Sequence, residues 1–250
     1  MDTVQTLFDE IRAFGAAHGD PERVRKYERF FVEGYDAYGL EQKEMEARRD
    51  AWLTHYRPIL KKEGFLDLAG RLLGTGKYED ASFALWFTKS FLDELTAGDF
   101  ACLSALFETG VCNWAHTDMF SLDILAEFLN RGIVPVQALA DWRSAGVKWK
   151  RRAVAVSLIK VVPGKLSPTQ ALEFVEPMMM DSEKVVHQGL GWLLRELWKL
   201  DAAAVEDFLL LWKDRCARLI VQYATEKMTA EQKVRFKKTR SCVFQKKENS

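Results

Sequence analysis

Cysteine and proline are scarce in this chain, long apolar runs are missing, and neither sign of charge is in excess. The four cysteines, Cys102, Cys112, Cys216 and Cys242, form no C-x-x-C pair and do not cluster with the four histidines. That spacing argues against structural zinc and a disulfide framework, and for a reducing intracellular setting. Cys112 on its own, with no base beside it in the sequence, is expected to be buried filler. No uninterrupted apolar segment reaches the roughly 18 residues that suggest a membrane span. The first residues, MDTVQTLFDEIRAFG, are acidic and amphipathic, without the basic start and apolar run of an export signal. A soluble, cytoplasmic protein is therefore expected. A chain of 250 residues is long enough to bury roughly 70 to 75% of its extended surface in one core. The expected organisation is one domain over residues 1–228 followed by a basic C-terminal helix and tail over 229–250.

The zero net charge is unevenly spread. Residues 1–100 hold 14 Lys/Arg against 19 Asp/Glu, a balance of −5, which leaves +5 on the remainder. Val147 to Thr169 contains six basic residues and no acid, and 227–250 contains eight basic residues and two acids. The second half thus has the sign that attracts a polyanion, although such stretches also serve as ordinary solvated faces.

Helical spacing is abundant. Val4, Leu7, Phe8 and Ile11 make one apolar stripe, and Tyr27, Phe30 and Phe31 are expected to anchor a second helix. Residues 41–55 are strong helix formers around Met45 and Trp52. Further helices are predicted over 64–73, 79–94, 99–109, 113–129, 135–144, 148–162, 168–176, 182–199, 202–212, 214–226 and 230–246. Gly- and Pro-containing breaks such as GTGKYED, NRGIVP and VVPGKLSP separate many of them. In EPMMMDS the three methionines suggest a packed turn. From about residue 79 the helices pair at a spacing of about 35 to 40 residues, the period of stacked helical hairpins. The predicted fold is all-α: a right-handed, curved superhelical stack of HEAT-like antiparallel helix pairs, with a non-repetitive bundle as the alternative.

At about 100° per residue, three successive pairs present mixed faces. Trp114 and Asp118 share one sector with Ser121 and Leu125; Trp149, Arg152, Val156 and Lys160 share the next; Gln188, Trp192, Arg195 and Lys199 share the third. If all three faces are concave, they make one groove. Its cations, Lys148, Arg152, Lys160, Arg195 and Lys199, suit phosphates, and its rings suit sugars or bases. Singly, such cations are more often side chains lying over apolar surface. A carboxylate facing phosphates is repelled, so Asp118 in that groove needs another task, such as stabilising a sugar cation or directing water. A cap or an ion pair with Arg152 is the ordinary structural alternative.

CNWAHTD at 112–118, WKRRAVAVSLIK at 149–160 and GLGWLLREL at 189–197, preceded by KYERFFVEGYDAYGLEQKEMEARRDAW at 26–52, together resemble the DNA alkylation repair family of HEAT-like DNA glycosylases. The resemblance spans about residues 5–230. It implies hydrolysis of the N-glycosidic bond of cationic N3- or N7-alkylated purines in double-stranded DNA, by a monomer with no cofactor and no base-flipping pocket. It also implies a site of Asp118, Trp114, Arg152 and Trp192. Asp118 would stabilise the oxocarbenium-like sugar and place water, Trp114 and Trp192 would cradle the lesion backbone, and Arg152 would hold phosphate or orient Asp118. Lys148, Trp149, Lys160, Gln188, Arg195 and Lys199 would complete the DNA-binding face. The chain departs from the family pattern at Ala115, followed by His116, where an acidic or polar residue is common. His116 points away from the groove sector and is expected to pack or hydrogen-bond rather than act as a base.

Overall fold

The computed structural model describes residues 2–239, and among these there is no strand. The chain opens with α1 (Thr3–His18), capped by the Asp2 carboxylate accepting from the Val4 amide. Next comes α2 (Pro21–Tyr27), with Asp20 as cap and proline at its start, where a missing N–H costs nothing. α1 buries Val4, Leu7 and Ile11, as its stripe predicts. The aromatics after it do not anchor a helix. α2 ends at Tyr27, a single 3-10 turn covers Glu28–Phe30, and Tyr27 and Phe30 stay exposed. Their three-residue spacing mimics a helical face, but the rings serve a non-helical strap that runs to Leu40.

α3 (Gln42–Leu73) joins two predicted helices and breaks where they would meet: Lys61 takes φ 52° and ψ −170°, three residues after Pro58. Then follow α4 (Tyr78–Ser90), α5 (Phe100–Thr109) and α6 (Trp114–Phe120). A π-helical turn (Ser121–Leu125) carries α6 into α7 (Ala126–Asn130), so the predicted 113–129 segment is one rod with a wide turn at its centre. Residues 135–144 form only two short 3-10 turns, Val136–Leu139 and Asp141–Ser144, rather than the predicted helix. The buried side chains of the segment are Leu139 and Trp142, three residues apart, with Val136, Ala138 and Ala140 partly buried against the core. Beyond it lie α8 (Lys148–Val161), α9 (Pro168–Val175), α10 (Lys184–Trp198), α11 (Ala202–Trp212), α12 (Arg218–Ala224) and α13 (Ala230–Val234). The last is far shorter than the predicted 230–246. Its chain turns after Val234 so that Phe236 is buried, and residues 240–246, like Cys242, lie outside the described part. Of the three methionines, Met178 and Met179 pack and Met180 is exposed.

The helices stack as a curved series of HEAT-like pairs. One row runs α4, α6, α8, α10, α12, each packed on the next, while α9 and α11 touch behind it. Side-chain bonds along this row repeat the period: Ser82 to His116 spans 34 residues, Arg152 to Asp118 spans 34, and Gln188 to Tyr223 spans 35. Burial of Leu190, Leu193, Leu194 and Leu197 fixes which side of α10 faces inward. Each such side chain contributes about 1.5 to 3 kcal/mol.

Candidate active site

α6 begins at a residue pair that sets its direction. Asn113 caps it, with Oδ1 accepting from the His116 amide at 2.9 Å and Nδ2 donating to His116 Nδ1 at 2.8 Å. That leaves His116 Nε2 as the protonated nitrogen, donating to Ser82 Oγ at 2.9 Å, and Ser82 in turn donates to the Tyr78 carbonyl. Fully buried, His116 has its pKa driven down from 6.5 to about 3 because the cation would be desolvated. It is a neutral peg between α4 and α6, as its angular position suggests.

Held by this peg, α6 projects Trp114 and Asp118 one turn apart toward α8 and α10. Arg152 grips Asp118 with a planar fork, Nε to Oδ1 at 2.8 Å and Nη2 to Oδ2 at 2.7 Å. Its third nitrogen, Nη1, donates to the Val185 carbonyl on α10 at 2.7 Å. The Arg152 side chain is 7% exposed and that of Asp118 14%. Burial lifts the Asp118 carboxyl above the ordinary aspartate range, and Arg152 opposes that shift. Each carboxylate oxygen accepts one N–H here and keeps a further lone pair.

These groups lie in a cavity of about 550 Å³ lined by Trp114, Asp118, Trp149, Arg152, Gln188, Trp192, Arg195 and Tyr223. All come from α6, α8, α10 and α12. Trp149 is 6% exposed and belongs to the core as well as the wall. Gln188 donates to the Tyr223 hydroxyl at 3.0 Å, and Arg195 pairs with Glu226 and Glu196. Lys160 and Lys199 are not among the lining residues; they pair with Asp123 and Glu196 on the surface. Lys148 is not among the lining residues either, but it binds Glu33, which is, at 2.6 Å. Cys112 is exposed and lines the cavity rather than being buried; in the loop before α6 it is the neighbouring Val111 that packs inward.

Sequence patterning misses the far wall. Phe30, Phe31, Val32, Glu33 and Gly34 of the strap close one side of the cavity, and Phe30, Phe31 and Trp114 also wall a second cavity of about 820 Å³ over α4. No helical period marks a strap. The available clue is the crowding of rings in FFVEGYDAY, which a helix of that length has no room to bury.

An all-helical repeat stack whose inner helices converge a carboxylate–guanidinium fork and several tryptophans on one cavity defines a class of curved helical proteins with a polar centre in an aromatic wall. The family model described as DNA alkylation repair enzyme matches residues 13–228, and the chain belongs to that family. A search of curated proteins finds none that matches it.

Proposed function

We propose that this member of the DNA alkylation repair family is a monofunctional DNA glycosylase that hydrolyses the N-glycosidic bond of cationic N3- or N7-alkylated purines in duplex DNA. The observation that carries the reading is the forked Asp118–Arg152 pair, its carboxylate still partly open to solvent, in a cavity that Trp114 and Trp192 also line. A cationic purine leaves as a neutral base, so no strong general acid is needed. The bond to the base breaks with its electron pair going to the purine, and positive charge develops on the deoxyribose. Asp118, fixed in orientation by Arg152, stabilises that charge and accepts the proton of the attacking water. Trp114 and Trp192 cradle the sugar and the flanking backbone.

The arrangement supports recognition without a base-reading pocket. Asn113 is committed at both ends to His116, and Gln188 Nε2 to Tyr223, which leaves neither amide free for the bidentate contact that reads an adenine edge. Selectivity then rests on the intrinsic lability of the charged lesion rather than on extracting the base.

The test pairs a duplex containing N7-methylguanine with an undamaged one and follows release of free base under single-turnover conditions. Wild-type protein should release base from the first duplex alone. Asp118→Asn should lower that rate by about 10²-fold or more, the scale of a few kcal/mol of transition-state electrostatics. Duplex affinity should hold or rise, since an acid has left an anion's groove. Tight binding without lesion-dependent release would instead assign the protein as a DNA-binding scaffold. Near-wild-type release by a folded, substrate-saturated Asp118→Asn variant would defeat the mechanism.

A further inference from the structure

The strap before α3 is built as a support with a fixed base and a loaded tip. At its base, the buried Glu79 carboxylate of α4 accepts the amides of Tyr38, Gly39 and Leu40 at 2.9, 2.7 and 3.1 Å. Gly39 takes φ 81°, and a Cβ there would stand 2.2 Å from the Asp20 carbonyl, so only glycine lets the chain pass. Beside it the Tyr78 amide donates to the Asp36 carbonyl at 2.7 Å, and Lys77 pairs with Asp36. The strap is thereby tied to the first turn of the helix that holds the His116 peg.

At its tip, the strap reaches the first residues of two site helices, Trp114 of α6 and Lys148 of α8. The Phe30 carbonyl accepts the Trp114 Nε1 hydrogen at 3.1 Å. The Phe31 ring lies nearly parallel to the Trp114 indole, at 5.7 Å and 15°. Tyr35 backs Phe31 at 4.6 Å and 14°, and Tyr78 meets it edge-on at 5.3 Å. Glu33 binds Lys148, the first residue of α8. Trp114 is itself the first residue of α6 and 42% exposed. Such a side chain has no preceding helical turn to lean on, so its rotamer must be set from outside.

We propose that Phe31, with the Phe30 carbonyl, is a positioning device for Trp114: the strap fixes one face and the N–H of the indole so that the ring stands ready beside Asp118. This rests on the role given to Trp114 in the proposed glycosylase. A ring allowed to swing would blunt the chemical step more than the grip on DNA, because duplex contacts elsewhere on the face are untouched.

Two measurements separate this proposal from that reading. In single-turnover excision, Phe31→Ala should slow release by about 10- to 100-fold, the range that follows from misplacing a reacting centre by an ångström or less. Phe31→Tyr, which keeps the ring, should restore the rate. In a Trp114→Ala background Phe31→Ala should cost no more than about twofold, since the two changes act through one group. Equal losses in both backgrounds would overturn the proposal and leave Phe31 as ordinary packing. The second measurement needs no activity: fluorine NMR of protein labelled with 5-fluorotryptophan, with the Trp114 signal assigned from Trp114→Phe. Phe31→Ala should shift and broaden that signal while leaving those of the buried Trp52 and Trp142 in place. An unmoved Trp114 signal would overturn the positioning role whether or not wild-type protein excises bases. A moved signal with no wild-type excision would keep the positioning role and sink the glycosylase.

Discussion

His116 shows how one residue's chemistry can be read from its neighbours. Both ring nitrogens are engaged in the neutral form, Nδ1 accepting from Asn113 and Nε2 donating to Ser82. A second proton would force Asn113 to abandon its donor geometry inside a dry site. The depressed pKa, about 3 against 6.5, therefore means that the folded protein binds fewer protons than the unfolded chain throughout that window. Stability is fully present above 6.5 and is lost as pH falls toward 3. From pH 7 to pH 5 this one group should remove about 2 kcal/mol of unfolding free energy. Asp80 and Asp118, both raised by burial, act with the opposite sign as they protonate. The measurement is therefore a difference: urea titrations at both pH values for wild type and for His116→Gln. The variant should be less stable at pH 7 but should lose about 2 kcal/mol less on acidification. Parallel pH dependences would mean that His116 titrates normally and that the peg is not dry.

Helix contacts explain why the glycine-rich stretch GLGW lies where it does. On α10, Gly191 faces α12 so closely that an added Cβ would stand 2.4 Å from Tyr223 Cβ and 2.8 Å from the Ile220 carbonyl. Gly189, on the side of α10 that meets α8, would bring a Cβ to 3.3 Å from Arg152 Cγ. These approaches bring Gln188 to Tyr223 and Arg152 to Val185, so the cavity's shape depends on them. Gly191→Ala should destabilise by about 1 to 3 kcal/mol through overpacking, more than the helix-propensity gain of about 1 kcal/mol returns. Gly70 in α3, where an added Cβ would meet nothing within 4 Å, is the matched control. Gly70→Ala should stabilise by about 0.5 to 1 kcal/mol. Equal shifts in denaturant midpoint for the two variants would dismiss the packing argument. The same contacts bear on what sequence alone can tell. Trp114, Asp118, Arg152 and Trp192 are legible because each sits on a regular helix, where angle and period carry a residue to a known face. The strap is not, since its path is set by Glu79, 41 residues from Tyr38, and no local pattern encodes that reach. Angular sectors put Trp149 on the right helix, yet its depth depends on packing by neighbours that such sectors ignore. The break at Lys61 is half visible: the pattern predicts two helices, but not that they abut at a single kinked residue with no loop between them.

Across the whole molecule, the cations expected to meet DNA are already paired with carboxylates: Lys148 with Glu33, Arg152 with Asp118, Lys160 with Asp123, Arg195 with Glu226, and Lys199 with Glu196. The net charge of zero is thus reproduced locally, pair by pair, on the face proposed to meet DNA. Phosphates must compete with these partners, so fewer counterions are released than the number of basic residues suggests, and duplex binding should depend only weakly on salt. Removing one competitor tests this. Glu226 is exposed and holds both Arg195 and Lys227. Glu226→Gln should tighten duplex binding several-fold at low salt and steepen the slope of log affinity against log salt by about 0.9, the increment for one phosphate newly engaged. Asp67→Asn removes the same charge from an exposed pair with Arg71 on α3, a residue that lines neither cavity. It should leave the slope within about 0.3 of wild type, because a single distant charge is screened beyond a Debye length of about 10 Å. Equal steepening in both variants would trace the effect to overall charge and remove the reason for placing DNA along the inner helices. Steepening by Glu226→Gln alone would locate the duplex beside Arg195, on the side of the cavity that Trp192 lines.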